Sequence, residues 1–574
     1  MKHTRTLFAL FAVLCLPLAA KAQYFVAGGI AYGVLSETEH TVEVTTKYNG
    51  YYHGNITIPS TVTYGGTTYD VVSLGELAFY GSTLTSVTIP TSVTRIKSQC
   101  FLYSTGPTSI TVPASVADIG MMAFAASNMA AINVDEANPY YCSIDGILFS
   151  KDTSTIVECP VARSGSITLP QNTVRIASLA FSNCQAISNI VLHEGLTDIG
   201  YGAFMTAKRL DNVVIPASVT HIGENLFSGC TALNSLTLAE GNSHYYLDGL
   251  MLYTIGGDTL LSAHKSADTL RFLATLRAVG GFSNNQNIRY VSLSDSTTTI
   301  LENAFEVSTL AGIDMPGRME MIDEYAFYGC ESLTRVGMPL SVGTMGKGCF
   351  EYCTRLTSVD IPNGLSIIPM EAFYGSSSLS HITWGDSVAV IDSFAFGGCA
   401  FEELLLPATL RVIRAGGFNG YYDGTIRRVV FSAPVDTLET EAFYGQPMTT
   451  LVLKNTVPPI ATTYEGMYGP LDDADVDSIF IPCGSLNAYL DDTYWGQFAA
   501  LYYEDCNGID DIISSDIRVY TLGGRIVVDG ADGETVQIYD MMGRVLPTAD
   551  HTLSTGVYLV RVGERPACKV AVIQ

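Results

Sequence analysis

Apolar positions recur along this chain at a fixed long interval. Phe79, Phe101 and Phe124 stand 22 and 23 residues apart, and Phe181, Phe204 and Phe227 repeat 23 and 23. Phe305, Phe327, Phe350, Phe373, Phe396 and Phe418 follow at 22, 23, 23, 23 and 22, and Phe443 comes 25 residues later. Other apolar residues keep phase with the phenylalanine. An aliphatic residue sits five positions before it, as at Ile96, Ile119, Ile176, Ile199, Ile222, Ile300, Ile322, Ile391 and Ile413. Leu210, Leu233, Leu333, Leu356 and Leu379 lie six after it. Nine and eleven after it come pairs such as Val213/Ile215, Leu236/Leu238, Val336/Met338 and Val359/Ile361. That last spacing has period two, so both side chains share one face of a strand. A proline often follows (Pro90, Pro113, Pro216, Pro339, Pro362, Pro407) and ends the strand, because it cannot donate to the ladder.

The pattern predicts a mainly β solenoid with coils of about 23 residues and one short parallel strand per turn. One coil cannot bury its own apolar face, but stacking buries it against the next. The phenylalanine should fill the interior beside the sheet, ring on ring. The 364 residues from Phe79 to Phe443 give about 16 turns. At ~4.8 Å per strand they make a rod of roughly 75 Å.

Two gaps in the series are double length, Phe124 to Phe181 and Phe227 to Phe282. Each holds a related insert, "NPYYCSIDGILFSKD" from Asn138 and "NSHYYLDGLMLYTIGG" from Asn242. Asp145-Gly146 and Asp248-Gly249 read as hairpin turns, placing one β-hairpin near 138–160 and another near 242–265. The coil at Phe282 is out of phase on its N-terminal side. Solenoid ends need covering, since an open last coil exposes core and an unpaired strand edge. Residues 23–72 read as an N-terminal β cap leading into the solenoid at 73–445. Residues 446–508 read as the C-terminal cap, with Ser485 opening a short helix that ends near Trp495. A polar linker at 509–516 precedes 517–574, where alternating strands separated by Gly, Asp and Thr turns suggest a small β-sandwich.

The first residues read as an export signal. Lys2 and Arg5 precede an apolar run from Leu7 to Leu18, and Ala20-Lys21-Ala22 supplies small residues for cleavage after Ala22. No later segment has the uncharged length of a membrane span. Removing Lys2, Arg5 and Lys21 leaves 27 basic residues against 56 acidic, a formal net of −29. Such a surface argues against nucleic acid and anionic lipid as partners. Cys184, Cys230, Cys330, Cys353 and Cys399 all fall three residues after the repeat phenylalanine, the slot of a small buried residue, and are read as thiols. Cys483 with Cys506 is the pair to test for a bridge. Histidines stand singly, and no metal, cofactor or catalytic motif is present in the sequence. "DDADVD" (Asp472 to Asp477) alternates carboxylates but lacks the glycine and distant glutamate of a calcium loop, so it reads as a solvated acidic loop. Tyrosine doublets stand at Tyr51-Tyr52, Tyr140-Tyr141, Tyr245-Tyr246 and Tyr421-Tyr422. In the two inserts one of each pair is expected to pack inward, while Tyr421 and Tyr422 are kept as candidate binding residues.

The run of Ile, then "AFYGC" or "AFSNC", then Leu-x-x-Val-x-Ile-Pro and Ser-Val, resembles the BspA-like leucine-rich repeats of bacterial surface proteins over roughly residues 55–445. The resemblance implies an adhesin-like surface protein that binds extracellular protein or glycan, and no enzyme. Passive nutrient capture and, further off, a polymer-acting hydrolase are the alternatives. Residues 517–574, with Ile-Tyr-Asp-x-x-Gly-Arg, Gly-Val-Tyr-Leu-Val and a last apolar strand after Lys569, resemble the C-terminal sorting domain of type IX secretion substrates. That second resemblance implies the type IX machinery as a partner and attachment to the outer surface of a Gram-negative cell. Asp258-Thr259-Leu260 and Asp386-Ser387-Val388 resemble O-glycosylation sites of bacteria with this secretion system.

Overall fold

A ring placed every 22 or 23 residues leaves water only if each coil lays its phenylalanine against the next. The computed structural model of the chain has this arrangement. It describes residues 24–505 and 518–572, apart from 126–127, 264–269, 271, 421–423, 464–467, 523–524, 530–534, 541–543, 547–555 and 563–567. Two units are present, Met1–Val359 and Asp360–Gln574. In the first, Phe79 stacks on Phe101 with centroids 4.9 Å apart, and Phe181, Phe204 and Phe227 stack at 5.4 and 5.6 Å. Phe282, Phe305, Phe327 and Phe350 continue at 5.1, 5.3 and 5.0 Å with planes within 4° of parallel. In the second unit Phe373, Phe396, Phe418 and Phe443 stack at 5.2, 5.3 and 5.5 Å. Every one of these rings is buried.

The expected strand is present, and the structure adds a second ladder. The period-two pairs lie on strands such as Asn212–Ile215 and Ser235–Leu238, paired in parallel with Val213 opposite Leu236. The aliphatic residue five before the phenylalanine forms its own two-residue strand. Arg175–Ile176, Asp198–Ile199 and His221–Ile222 pair in parallel, with Ile176, Ile199 and Ile222 in register. Two residues are too short to show a period, which is why only one strand per coil is visible in the sequence.

Between the ladders the chain turns sharply at the phenylalanine, and residues two before and two after it take left-handed backbone. Leu77 and Gly81 flank Phe79 at φ 55° and 61°, and Asn303 and Val307 flank Phe305 at 52° and 52°. The turn lets the Phe N–H reach the next coil: Phe305 donates to Ala326 O at 2.8 Å and Phe327 to Cys349 O at 2.8 Å. Cysteine three residues on closes the same corner. The Sγ of Cys230, Cys330 and Cys353 donates to the carbonyls of Phe204, Phe305 and Phe327 in the preceding coil, at 3.0, 3.1 and 3.2 Å. Gln446 fills the same slot with Nε2 donating to Phe418 O at 2.7 Å. The slot therefore selects a compact donor as well as a small apolar group. Burial pushes the Cys330 thiol up to about 12, so the proton it donates is retained.

The inserts keep this wiring by substitution. In the first, Tyr141–Ile144 and Ile147–Ser150 form a hairpin around Asp145-Gly146, both with positive φ (51° and 78°). In the second, Asp248 pairs with Met251, so Gly249-Leu250 makes the turn instead of the expected Asp248-Gly249, with φ 61° at Gly249. That is the arrangement of a turn needing glycine only at its first central position. After each hairpin the chain re-enters the short ladder, Ile156 beside Ile176 and Leu260 beside Val279. Cys159 and Ala263 then take the phenylalanine's place, donating to Ala180 O at 2.7 Å and Gly281 O at 3.0 Å. Here a side chain receives the previous phenylalanine's N–H. Glu158 accepts from Phe124 N through both oxygens at 3.0 and 3.2 Å, and Ser262 Oγ accepts from Phe227 N at 3.2 Å. The irregular coil at Phe282 is two residues short, with Val279 three residues before the ring rather than five. Gly281, at φ 86°, fills the gap where a Cβ would stand 2.5 Å from Ser262 Cα.

At the N-terminal end, Thr41–Val44 pairs in parallel with Thr67–Leu74, which pairs with Arg95–Ile96 and so starts the short ladder. In the second unit the helix is shorter than expected, Leu486–Leu490, and Trp495 opens a 3-10 segment to Leu501. The Ser485 side chain bonds back to Pro482 O, and Glu504 Oε1 accepts the Leu486 N–H at 3.0 Å. Trp495 is fully buried and donates from Nε1 to Pro459 O at 2.8 Å. Arg518–Leu522 pairs with Arg525–Asp529, while Val536–Asp540, Val545–Leu546, Gly556–Val562 and Cys568–Val572 form an antiparallel four-stranded sheet.

These details set three outcomes. Val307 is a β-branched residue at left-handed φ, so Val307→Gly relieves strain and raises stability by about 1 kcal/mol, read as a higher melting temperature. Cys330→Ser keeps a second donor to Phe305 O and preserves the melting point, whereas Cys330→Ala leaves that carbonyl with the Ser308 N–H alone and costs about 1 kcal/mol. Burial raises the Glu158 carboxyl from 4.5 to about 8. Between those values the folded chain binds a proton the unfolded chain has lost, so stability declines as pH rises from about 4.5 to about 8. Glu158→Gln still offers an oxygen to Phe124 N and should flatten that decline in melting scans between pH 5 and 8.

Candidate binding surface

With the apolar side chains turned inward, what faces out is the alternate residue of each strand and the rim of the phenylalanine corner. On the short ladder the outward row of the first unit carries charge. Arg95 Nε lies 2.8 Å from Asp118 Oδ2, and Arg175 Nε lies 3.5 Å from Asp198 Oδ1. These exposed pairs run from coil to coil and contribute little to stability individually. In the second unit the equivalent row is uncharged and mostly aliphatic, with Ile367 and Ile460 exposed at its ends and Val390, Val412 and Thr437 half-buried between.

The corner rim gathers tyrosine. Tyr325, Tyr328 and Tyr352 come from adjacent coils, with edge-to-face contacts at 6.0 and 5.8 Å. Lys347 Nζ stands 5.7 Å from the Tyr325 ring centroid. Buried Glu351 and half-buried Glu306 lie close enough to help push the Tyr328 phenol upward, after the larger effect of burial. Burial likewise raises the Glu306 carboxyl, which accepts from Ser283 Oγ at 2.9 Å. This mixed aromatic and charged corner was missed in the sequence. Its signal is tyrosine at one or two positions after the repeat phenylalanine and two before the next.

Of the sequence candidates, Tyr421 and Tyr422 and the cleavage position Ala22 lie outside the described residues. The other doublets divide into one inward and one outward ring. Tyr52 is buried and Tyr51 is 47% exposed, and Tyr245 is buried while Tyr246 is 43% exposed. Tyr141 is half-buried and Tyr140 exposed. Cys184, Cys230, Cys330, Cys353 and Cys399 are free and buried, as expected. Cys483 is disulfide-bonded, and Cys506 lies outside the described residues. The acidic run is tied to its own unit: Asp472 Oδ1 accepts from Tyr494 OH at 3.3 Å and Asp475 N donates to Gln446 O at 3.0 Å. Among the described residues no three His, Cys, Asp or Glu converge on a possible metal position, and no helix is long and apolar enough to cross a membrane.

Among solved structures, a leucine-rich repeat protein from Bacteroides ovatus is similar at 20% identity, covering 84% of this chain and 100% of its own, with a TM-score of 0.34. A leucine-rich cell surface protein from Faecalibacterium prausnitzii is 24% identical over 71% of this chain and 94% of its own, with a TM-score of 0.32. The pneumococcal vaccine antigen PcpA is 20% identical over 69% and 93%, with a TM-score of 0.34. No curated protein matches the chain. The family model described as "BspA type Leucine rich repeat region (6 copies)" matches residues 72–157, 161–249, 266–368 and 343–464. With more than half its length matched and the coil wiring above, the chain belongs to the BspA-type leucine-rich repeat family.

Proposed function

We propose that the protein is an exported cell-surface scaffold that binds an extracellular protein through the rim of its phenylalanine corners. The observation that carries this reading is the Tyr325, Tyr328 and Tyr352 cluster, held on consecutive coils beside Lys347, Glu306 and Glu351. The corner turns fix the backbone beneath these rings, so little freedom is lost when a partner covers them. Tyrosine offers large contact area with few rotatable bonds, and charges beside it set partner and register. Membership in a family of surface repeat proteins supports a binding role.

In this reading residues 1–22 are a leader cleaved after Ala22, and 23–72 and 446–508 are the caps of a solenoid spanning 73–445. The linker 509–516 joins it to a sorting domain at 517–574, which engages type IX secretion machinery and leads to attachment at a Gram-negative outer surface. Tyr421 and Tyr422 are candidates for further contacts with the partner.

The test is surface plasmon resonance of the full-length protein against fibronectin, fibrinogen, laminin and collagen. Binding to at least one of them, weakened about tenfold or more in a Tyr325→Ala/Tyr352→Ala double variant of unchanged melting temperature, is the expected result. No binding to any of the four, or binding that the double variant leaves intact, overturns the assignment.

A further inference from the structure

An asparagine followed by glycine is open to attack by the backbone nitrogen on its own side chain, because glycine has no Cβ to shield that nitrogen. The sequence holds four such pairs, Asn49-Gly50, Asn363-Gly364, Asn419-Gly420 and Asn507-Gly508, of which the last lies outside the described residues. The attack needs the carboxamide carbon to swing onto the next nitrogen, so a tie on either group hinders it. Asn419 is buried, and Gly420 N donates to Tyr444 O at 2.8 Å. The Asn363 side chain accepts from Asp386 N at 3.4 Å, and its backbone is fixed in a turn closed by Leu365 N donating to Pro362 O at 3.2 Å. Asn49-Gly50 has neither restraint. Both residues are exposed in a bend, and among the described residues neither the Asn49 carboxamide nor the Gly50 N–H has a hydrogen-bond partner. Gly50 stands at φ 100°, and a Cβ built on it would meet nothing within 4 Å.

The bend is fastened on both sides. Before it, Tyr48 N donates to Tyr24 OH at 3.1 Å. After it, the Tyr52 side chain is buried, its hydroxyl donating to Thr45 O at 2.7 Å and accepting from Ala31 N at 2.9 Å. The Tyr52 backbone is tied to the first coil, its N–H donating to Ser82 Oγ at 3.2 Å and its carbonyl accepting from Thr83 N at 2.9 Å. Between these ties stands Tyr51, 47% exposed, with Cε1 3.1 Å from where a Cβ on Gly81 would stand.

We propose that Asn49-Gly50 is a site of spontaneous deamidation in the folded chain. The Gly50 nitrogen gives its proton to solvent base and attacks Asn49 Cγ. A bond forms between them, the bond from Cγ to the side-chain nitrogen breaks, and that nitrogen leaves as ammonia with a proton from water. Water then opens the five-membered imide at either carbonyl. Opening at Cγ gives aspartate, and opening at the backbone carbonyl gives isoaspartate, so the net change is one water consumed and one ammonia released. Either product places a new carboxylate two residues before Tyr51. Isoaspartate also lengthens the backbone by one atom. The ties at Tyr48 and Tyr52 confine that atom to residues 49–51, so the core stays in place and exposed Tyr51 is what shifts. This modification does not depend on what the surface of the protein binds.

The experiment ages the full-length protein at pH 8 and maps its peptides by mass spectrometry, with electron-based fragmentation to separate isoaspartate from aspartate. Asn49 is expected to convert about tenfold or more faster than Asn363 and Asn419, with isoaspartate the larger product and the melting temperature unchanged. In urea the three pairs should convert at similar rates, because only the fold distinguishes them. Asn49→Gln, whose longer side chain would have to close a six-membered ring, should leave position 49 unmodified and keep the melting temperature. Conversion of Asn49 no faster than that of the other two pairs in the folded protein, or a difference that persists in urea, overturns the site. A melting temperature that falls in step with conversion in the native chain and not in Asn49→Gln overturns the confinement of the change to residues 49–51.

Discussion

The structure depends on one contact repeated from coil to coil: a phenylalanine ring lying flat on the next, with its backbone N–H passed to the coil that carries that next ring. The stacking removes large apolar area from water, and the hydrogen bond fixes the distance at which it occurs. Neither works alone. A ring without the N–H contact could slip, and a corner N–H buried without an acceptor would cost about as much as a lost core methylene or more. The tight corner that brings both about requires left-handed backbone on each side of the phenylalanine, which glycine supplies freely and Val307 supplies under strain.

From this contact the polar features of the interior follow. The phenylalanine carbonyl accepts from the N–H three residues on and takes a second donor from the following coil, a thiol or carboxamide three residues beyond the next ring. That is why cysteine is frequent in a slot that outwardly asks only for a small residue. Where an insert replaces a regular coil, the acceptor for the previous Phe N–H is a side chain, Glu158 in one case and Ser262 in the other. Glu158 shows what such a repair entails: a carboxyl driven up to about 8 by burial, retained because it meets a backbone donor.

Because the repeat uses its fixed residues inward, variation is confined to the outer row and the corner rim. Two corners have diverged in chemistry on the same backbone. One gathers Tyr325, Tyr328 and Tyr352 beside Lys347, the other Tyr51, Tyr80 and Tyr103 over Gly81. A solenoid allows this because each coil contacts only its neighbours, so a local change of surface need not disturb distant coils.

The amino-acid order by itself determined the repeat length, the inward phenylalanine, the period-two strand, the free thiols and the hairpin in each insert. All of these are local patterns that recur in phase, and repetition makes weak local signals readable. Tertiary structure alone decided the second ladder, since a two-residue strand has no period of its own. It also decided the Gly249-Leu250 turn, whose register is set by pairing across the hairpin rather than by the Asp-Gly dipeptide. The donor role of the cysteine slot and the acceptor role of Glu158 lay beyond the sequence for the same reason. Each is defined by a partner some 25 to 35 residues away, and only the stacking of one coil on another brings those groups within hydrogen-bonding distance.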